Sequence, residues 1–548
     1  MPSLSTYRSR VEPVDVAVIG AGINGLAVAR EAAARGMSVA LIDQDDVGAR
    51  TSAISTRLVH GGLKYLERFE LNLVFESIRE RNILLKQAPH LVRPYPMLIP
   101  FSAGQSRPGW LLACGLMLHD VLSAGKKLPL NRVVFRKRIE RSWPGLAEGG
   151  LKWGGLFQDA QVSLTERLTV ELATDAYRNG AVVLTHARVE SLIQTDGRVT
   201  GLRYRDRDDR SLKEIEARIV VNAAGPWVDD ILGMAGAQDR KIGPTKGSHA
   251  IVDRFPGAPD TCIFFESPAD SRPMFVLPWA GRYMIGTTDL PYDGRLDVIV
   301  MDADETKYLL DAVNDLIPQA GLTPDDVLWS YSGVRPLPYV ANLDDPAQVT
   351  RDHQILSHEG ELTGLVTIIG GKLTTHRALG EQVAKLLART LGLASAASPT
   401  RTAPLPGSPG SEPWPEFHAR FIRSSRLPHA VATRLVDTYG TAASAIDAIA
   451  TSQPELAEVL DEDSGAIGAE IIYAAREEGA HTLEDIVLRR TLIGINRDVG
   501  LSAAPVAAEI LVSHGDWSRE YADAQVHAYK QAVRRFNPRV LADDTAQQ

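Results

Sequence analysis

Six residues near the start of the chain, Gly20-Ala21-Gly22-Ile23-Asn24-Gly25, constrain its fold more than any others. They follow Val14 to Ile19, an apolar run rich in β-branched residues that suits a strand buried on both faces. After them, Leu26 to Arg35 is alanine-rich and helical in propensity, and Gly36 ends it in the manner of a C-cap. Ser38 to Ile42 reads as a second buried strand, closed by Asp43. Strand, glycine turn, helix, strand and acid in that order make one βαβ unit of a parallel sheet, with the dinucleotide fingerprint at its turn. Gly20 permits the tight turn, Gly22 lets a pyrophosphate approach the backbone, and Gly25 lets helix and strand pack closely. The helix N-terminus at Ile23 and Asn24 offers N–H groups and positive dipole to phosphates. Asp43, with Gln44 beside it, is placed to accept hydrogen bonds from ribose hydroxyls.

Later segments return to the same sheet. Ala181 to Leu184 and Ala217 to Asn222 read as strands, and Leu365 to Ile369 reads as the last one, followed by Gly370-Gly371 and a helix through about Thr390. Between them, Phe275-Val276-Leu277 and Tyr283-Met284-Ile285 suggest a second, mainly antiparallel sheet. The fold class expected is α/β: a discontinuous Rossmann-like domain over 14–90, 165–240 and 345–395, and a mainly antiparallel β substrate domain over 91–164 and 241–344. Prolines and glycines between Ser398 and Pro415 read as a linker over 396–415, and a helical C-terminal cap follows over 416–548. Within that cap, Thr482 and Asp485 resemble a capping box.

The fingerprint alone does not separate NAD from FAD. Two further segments favour FAD. Thr51 to Gly62 follows Asp43 closely and is dense in hydroxyls and glycine, including Thr51, Ser52, Ser55, Thr56, Gly61 and Gly62. With Arg57, Leu58 and His60 it suits a long cofactor that carries a ribityl chain. Gly370-Gly371-Lys372-Leu373-Thr374 opens a helix after a buried strand, and a helix N-terminus aimed at the flavin N1/O2 edge stabilises negative charge on the reduced ring.

Composition narrows the rest. At 548 residues the chain needs two or three domains. A net charge of −9 argues against general nucleic-acid affinity. Cys114 and Cys262 form neither a disulfide framework nor a metal-ligand spacing, which suits a reducing cytoplasm. No apolar run is long enough to span a bilayer, and no signal-peptide segment follows Arg10.

The motifs together resemble those of the FAD-dependent glycerol-3-phosphate dehydrogenases. The matching stretches are the glycine turn and its helix, Thr51 to Glu67, Val221 to Asp229, Lys246 to His249, Gly286 to Asp289, Tyr331 to Leu337 and Gly370 to Arg377. The resemblance implies oxidation of sn-glycerol 3-phosphate to dihydroxyacetone phosphate, hydride passing from C2 to flavin N5 and electrons leaving to a membrane quinone. It implies catalytic roles for His249, Arg335 and Lys372, with Lys64 and Tyr65 joining them around the substrate, and it adds Val189, Ala224, Gly225 and Trp227 to the FAD contacts. A dianionic phosphate wants the donors of Arg335 and Lys372, and His249 has the intrinsic pKa of a base. The sequence departs from the family where Lys64 stands for the common arginine and His376 for the common tyrosine.

Gly109 to Leu122 is apolar but too short to span, and Lys126, Lys127, Arg132, Arg136, Lys137, Arg138 and Arg141 follow it. A buried helix before a solvated basic loop is one reading. The resemblance points to the other, peripheral attachment to the inner face of the membrane. An oxidase passing electrons to oxygen, from the same substrate or an amine, and a flavin-bearing scaffold without turnover are the competing functions. The C-terminal helices could dimerise, cover the site or bind another protein.

Overall fold

The structure is a computed structural model that describes residues 11–62, 70–101, 109–122, 128–207, 209–341, 352–394 and 396–537. Its first sheet has the strand order Gln354–Ser357, Leu365–Ile369, Leu212–Asn222, Val14–Ile19, Val39–Ile42, Val182–Leu184. All neighbours are parallel except the Gln354–Ser357 edge. Val16, Ala17 and Val18 are fully buried, as a parallel strand covered on both faces requires. The hairpin Arg188–Thr195 and Arg198–Arg205 extends the near end of the Leu212–Asn222 strand antiparallel to it.

The helix Ile23–Ala34 begins three residues before the apolar periodicity does. Gly22 stands at its N-cap, and the Ile23 N–H is taken by the Ser52 hydroxyl at 2.8 Å, a partner from a distant loop. Gly36 follows it at φ +83, a conformation that favours glycine.

The second sheet is mainly antiparallel. Thr245–Val252 lies between Arg282–Gly286 and Val327–Arg335, and Pro273–Trp279, Cys262–Glu266, Val92–Pro100 and Trp153–Val162 continue from Arg282–Gly286. One face packs on the helix Ala303–Leu316 through Ala250, Ile285, Leu309 and Val313. Ile251, Met284, Trp329 and Tyr331 point to the other face and share one apolar core with the C-terminal helices. Those helices include Trp414–Ser424, His429–Tyr439, Gly468–Glu477 and Ala504–His514. The proline-rich segment before them is packed: Leu405 joins the core of the first sheet, and Glu171 accepts the Gly407 N–H at 3.1 Å. Thr482 and Asp485 form their reciprocal bonds, at 3.1 and 2.9 Å, ahead of a π-helical turn over Asp485–Arg490.

Candidate active site

A cavity of about 490 Å³ opens beyond the carboxyl ends of the four central parallel strands, at Gly20, Asp43, Ala223 and Gly370, and reaches the second sheet at His249 and Arg335. Open parallel sheets present ligands at this position, outside the strand ends.

The glycines of the first turn are sterically required. Gly20 has φ +105, and a Cβ there would lie 2.5 Å from the Ala223 carbonyl oxygen; one on Gly25 would lie 1.8 Å from the Gly20 carbonyl oxygen. Asp43 braces this turn by accepting the Ala21 N–H at 2.6 Å and the Asp45 N–H at 2.8 Å. Each carboxylate oxygen keeps a second lone pair for a ligand hydroxyl. Burial, with the Asp45 charge adding to it, pushes the Asp43 carboxyl up to about 7.

The two glycine turns meet. Asn24 donates to the Gly370 carbonyl at 2.8 Å, while its Oδ1 is buried without a hydrogen-bond partner among the described residues. A Cβ on Gly371 would lie 2.4 Å from the Asn24 amide nitrogen, so backbone and amide sit in contact. The expectation that a helix opens at Gly370-Gly371 needs correction. Residues 373–375 form a turn first, and the helix runs His376–Thr390.

The hydroxyl-rich segment lies along the cavity with several of its side chains already committed. Thr51 donates to the Val334 carbonyl at 2.7 Å, Ser52 caps the first helix, and Thr56 Oγ1 lies 3.0 Å from His249 Nε2. The Arg57 guanidinium is held by both Glu166 oxygens at 2.6 Å and lies 4.4 Å over the Trp279 ring. Its charge therefore acts on the site from a fixed position.

Where the cavity meets the second sheet, His249 stacks on Tyr331 at 4.9 Å and is 2 % exposed. Burial, joined by the charges of Arg335 and Arg57, lowers it to about 3, so the ring is neutral. Its Nδ1 has no hydrogen-bond partner among the described residues. Arg335 donates to Asp289 at 2.9 Å and to the Thr287 hydroxyl at 3.0 Å. It lies over Gly247, where a Cβ would come within 2.2 Å of its Nη2.

Of the residues expected around FAD and substrate, the cavity brings together Gly20, Gly22, Ile23, Asn24, Asp43, Gln44, Thr51, Ser52, Ser55 through Leu58, and His60. It also gathers Val189, Ala224, Gly225, Trp227, His249, Arg335 and Gly370 through Thr374. Gly25 shapes the turn from behind, and Gly61, whose N–H is held by Asp159 at 2.8 Å, does not line the cavity, nor does Gly62. Lys64 and Tyr65 lie outside the described residues. His376 is buried, contacts the Leu373 carbonyl at 2.7 Å, and is lowered by burial to about 4.

Sequence reasoning missed Arg50, Phe264, Arg272 and Phe275, which also line the cavity. Arg272 donates to the Asp289 carbonyl, so two guanidinium groups converge on that one residue. No motif marks Arg272. It directly precedes the strand Pro273–Trp279, whose pairing with Arg282–Gly286 brings it to the cavity.

A paired set of glycine turns, an orphaned Asn24 oxygen and a long cavity fit a dinucleotide with a second, bulky ring system. Comparison with known proteins agrees. The sequence pattern of the family described as FAD dependent oxidoreductase matches residues 15–386, and that of the C-terminal domain of alpha-glycerophosphate oxidase matches residues 398–522. The glycerol-3-phosphate dehydrogenase of Synechocystis sp. is 39% identical over 95% of this chain and 96% of its own. The aerobic glycerol-3-phosphate dehydrogenase of Staphylococcus aureus is 30% identical, covering 97% of each. Among solved structures, glycerol-3-phosphate dehydrogenase from Bacillus halodurans complexed with FAD superposes with a TM-score of 0.78 at 27% identity, covering 96% of each chain. The cofactor is FAD, and the chain belongs to the FAD-dependent glycerol-3-phosphate dehydrogenases.

Proposed function

We propose that this protein oxidises sn-glycerol 3-phosphate to dihydroxyacetone phosphate. The observation that carries the reading is the convergence of His249, Arg335 and Lys372 on the cavity shared by both glycine turns. Bound FAD supplies the two-electron acceptor. Arg335, its fork oriented by Asp289 and Thr287, offers paired donors to a phosphate dianion, and Lys372 adds a point charge. His249 is neutral and takes the C2 hydroxyl proton. A dianion beside Arg335 cancels part of the charge that depresses His249, so substrate binding itself raises the basicity of the imidazole. An amine substrate has no use for this arrangement of cations.

The proposed electron acceptor is a quinone at a membrane surface. The helix Gly109–Leu122 exposes Trp110 at 64 %, Met117 at 65 % and Leu118 at 47 %, and Phe135 nearby is 67 % exposed. Arg136 is well exposed beside them. Large apolar side chains next to basic ones suit an anionic bilayer surface. Among the described residues no helix is long and apolar enough to cross a membrane. The C-terminal match to alpha-glycerophosphate oxidase favours oxygen as the second reading.

Anaerobic mixing of the FAD-loaded protein with glycerol 3-phosphate bleaches the flavin band if the first reading holds. Intact absorbance with FAD bound refutes it. Admitting oxygen, or vesicles carrying a quinone analogue, to the bleached protein then identifies the acceptor by which of them restores the band.

A further inference from the structure

Behind the substrate end of the cavity lies a buried polar cluster with no apparent business in a β-sheet interior. Glu305, in the first turn of the helix Ala303–Leu316, is 2 % exposed. It accepts from the Thr288 hydroxyl at 2.7 Å and the Ser248 hydroxyl at 2.8 Å, and pairs with the Lys246 ammonium at 2.7 Å. Ser248 also meets the Ser332 hydroxyl at 2.7 Å, and its N–H donates to Thr288 Oγ1 at 2.9 Å. Glu305 is itself fixed by a capping box with Asp302, whose N–H it accepts at 3.1 Å. A desolvated carboxylate persists in a core only where such donors satisfy it.

Side chains alternate along a strand, so Lys246 and Ser248 face Glu305 while Gly247 and His249 face the cavity. The turn after Gly286 alternates likewise. Thr288 reaches back to Glu305, while Thr287 and Asp289 hold Arg335 at 3.0 and 2.9 Å. The Thr288 carbonyl accepts from the same guanidinium at 3.3 Å. Three consecutive residues thus set the plane of the Arg335 fork, and the middle one is bolted to Glu305.

We infer that Glu305, acting through the Thr288 hydroxyl, is a positioning residue for the phosphate-recognising guanidinium of Arg335. It touches neither substrate nor cofactor. It determines whether the arginine presents a planar, preorganised fork, on which bidentate recognition of a phosphate depends. This rests on the reading of the cavity as a glycerol 3-phosphate site.

The test compares Thr288→Val, Thr288→Ala and Thr288→Ser in the FAD-loaded protein. Two constants are read: KM for glycerol 3-phosphate, and the dissociation constant for inorganic phosphate from its perturbation of the flavin spectrum. Thr288→Val and Thr288→Ala raise both by roughly tenfold, which is about 1.4 kcal/mol, with kcat at saturation within about threefold of the parent. Thr288→Ser, which keeps the hydroxyl, restores both constants. A purely structural role moves FAD retention or kcat and leaves the phosphate constant alone. Unchanged constants in either hydroxyl-free variant, a loss confined to kcat, or a failure of serine to rescue overturns the inference. The phosphate arm needs no turnover. A parent protein that binds phosphate but is not bleached by glycerol 3-phosphate refutes the proposed function and leaves the positioning role to be judged by that arm.

Discussion

Arg490 grips Asp46 through both terminal nitrogens, at 2.7 and 2.9 Å, so the C-terminal region holds the loop that follows Asp43. Arg489 adds a third bond to the same carboxylate at 2.7 Å. Burial opposes ionisation of Asp46, but the two guanidinium charges outweigh it and keep its carboxyl below the usual range. Asp46→Asn leaves both arginines buried without that anion, and a loss of about 3–5 kcal/mol is expected. Because Asp46 also lines the cavity, FAD release should accelerate as well. Denaturant midpoints and the rate of flavin fluorescence gain on dilution measure the two effects.

Gly247 is the seat of Arg335. An alanine there places its Cβ within 2.2 Å of the guanidinium, and the arginine must swing away. Gly247→Ala should raise KM for glycerol 3-phosphate by about tenfold or more, since a displaced bidentate donor loses a charge-assisted contact. The flavin spectrum of the purified variant should stay as in the parent, because no glycine of either turn is touched. Loss of FAD would show that the residue serves the cofactor.

His249→Gln should slow anaerobic flavin reduction at saturating substrate by about 10²-fold or more, the usual worth of a general base. The pH profile carries a second check. With its value in the free protein lowered to about 3, His249 is neutral throughout pH 5–9. The acid limb of kcat/KM therefore lies well below 6.5, and a limb near 6.5 would mean that the ring is solvated.

His376 and His481 are each lowered by burial to about 4. Between pH 6.5 and 4 the unfolded chain binds a proton at each site that the folded one does not, so stability is present above 6.5 and is lost as pH falls through that window. The slope is up to about 1.4 kcal/mol per pH unit for each histidine. His186 runs the other way: Asp485, 2.9 Å away, overcomes burial and raises it, so its contribution is present at low pH and is lost as pH rises through its folded value. His376→Gln should flatten the fall between pH 6.5 and 5 in urea titrations, and His186→Gln should abolish a loss of stability that sets in as pH rises above 6.5.

What could be read from the sequence was what is local. The Gly20 turn and the strands around it are specified by neighbours in the chain, and sterics leave no alternative to glycine at Gly20 and Gly25. The helix after Gly371 starts late because the residues between form a turn, and nothing in Lys372-Leu373-Thr374-Thr375 opposes a helix outright. Arg272, Phe264 and Phe275 escaped notice because strand pairing alone brings them to the cavity. The Arg57 guanidinium was expected near FAD, yet Glu166 holds it, a partner whose approach depends on a helix far along the chain.

Asn24 bonds to a residue 346 positions later, and Asp46 waits for an arginine 444 positions later. Contacts of such separation form late, since loop closure must precede the gain they bring. On the ribosome the glycine turn therefore emerges long before the residues that complete its pocket, and stays unfinished until the π-helical turn at Arg490 has left the exit tunnel. A cofactor that binds the finished pocket more tightly than the unfinished one draws the last docking step forward by mass action. Refolding yield should accordingly depend on free FAD, and starvation for the flavin should leave chains whose two sheets have formed but whose C-terminal clasp has not closed.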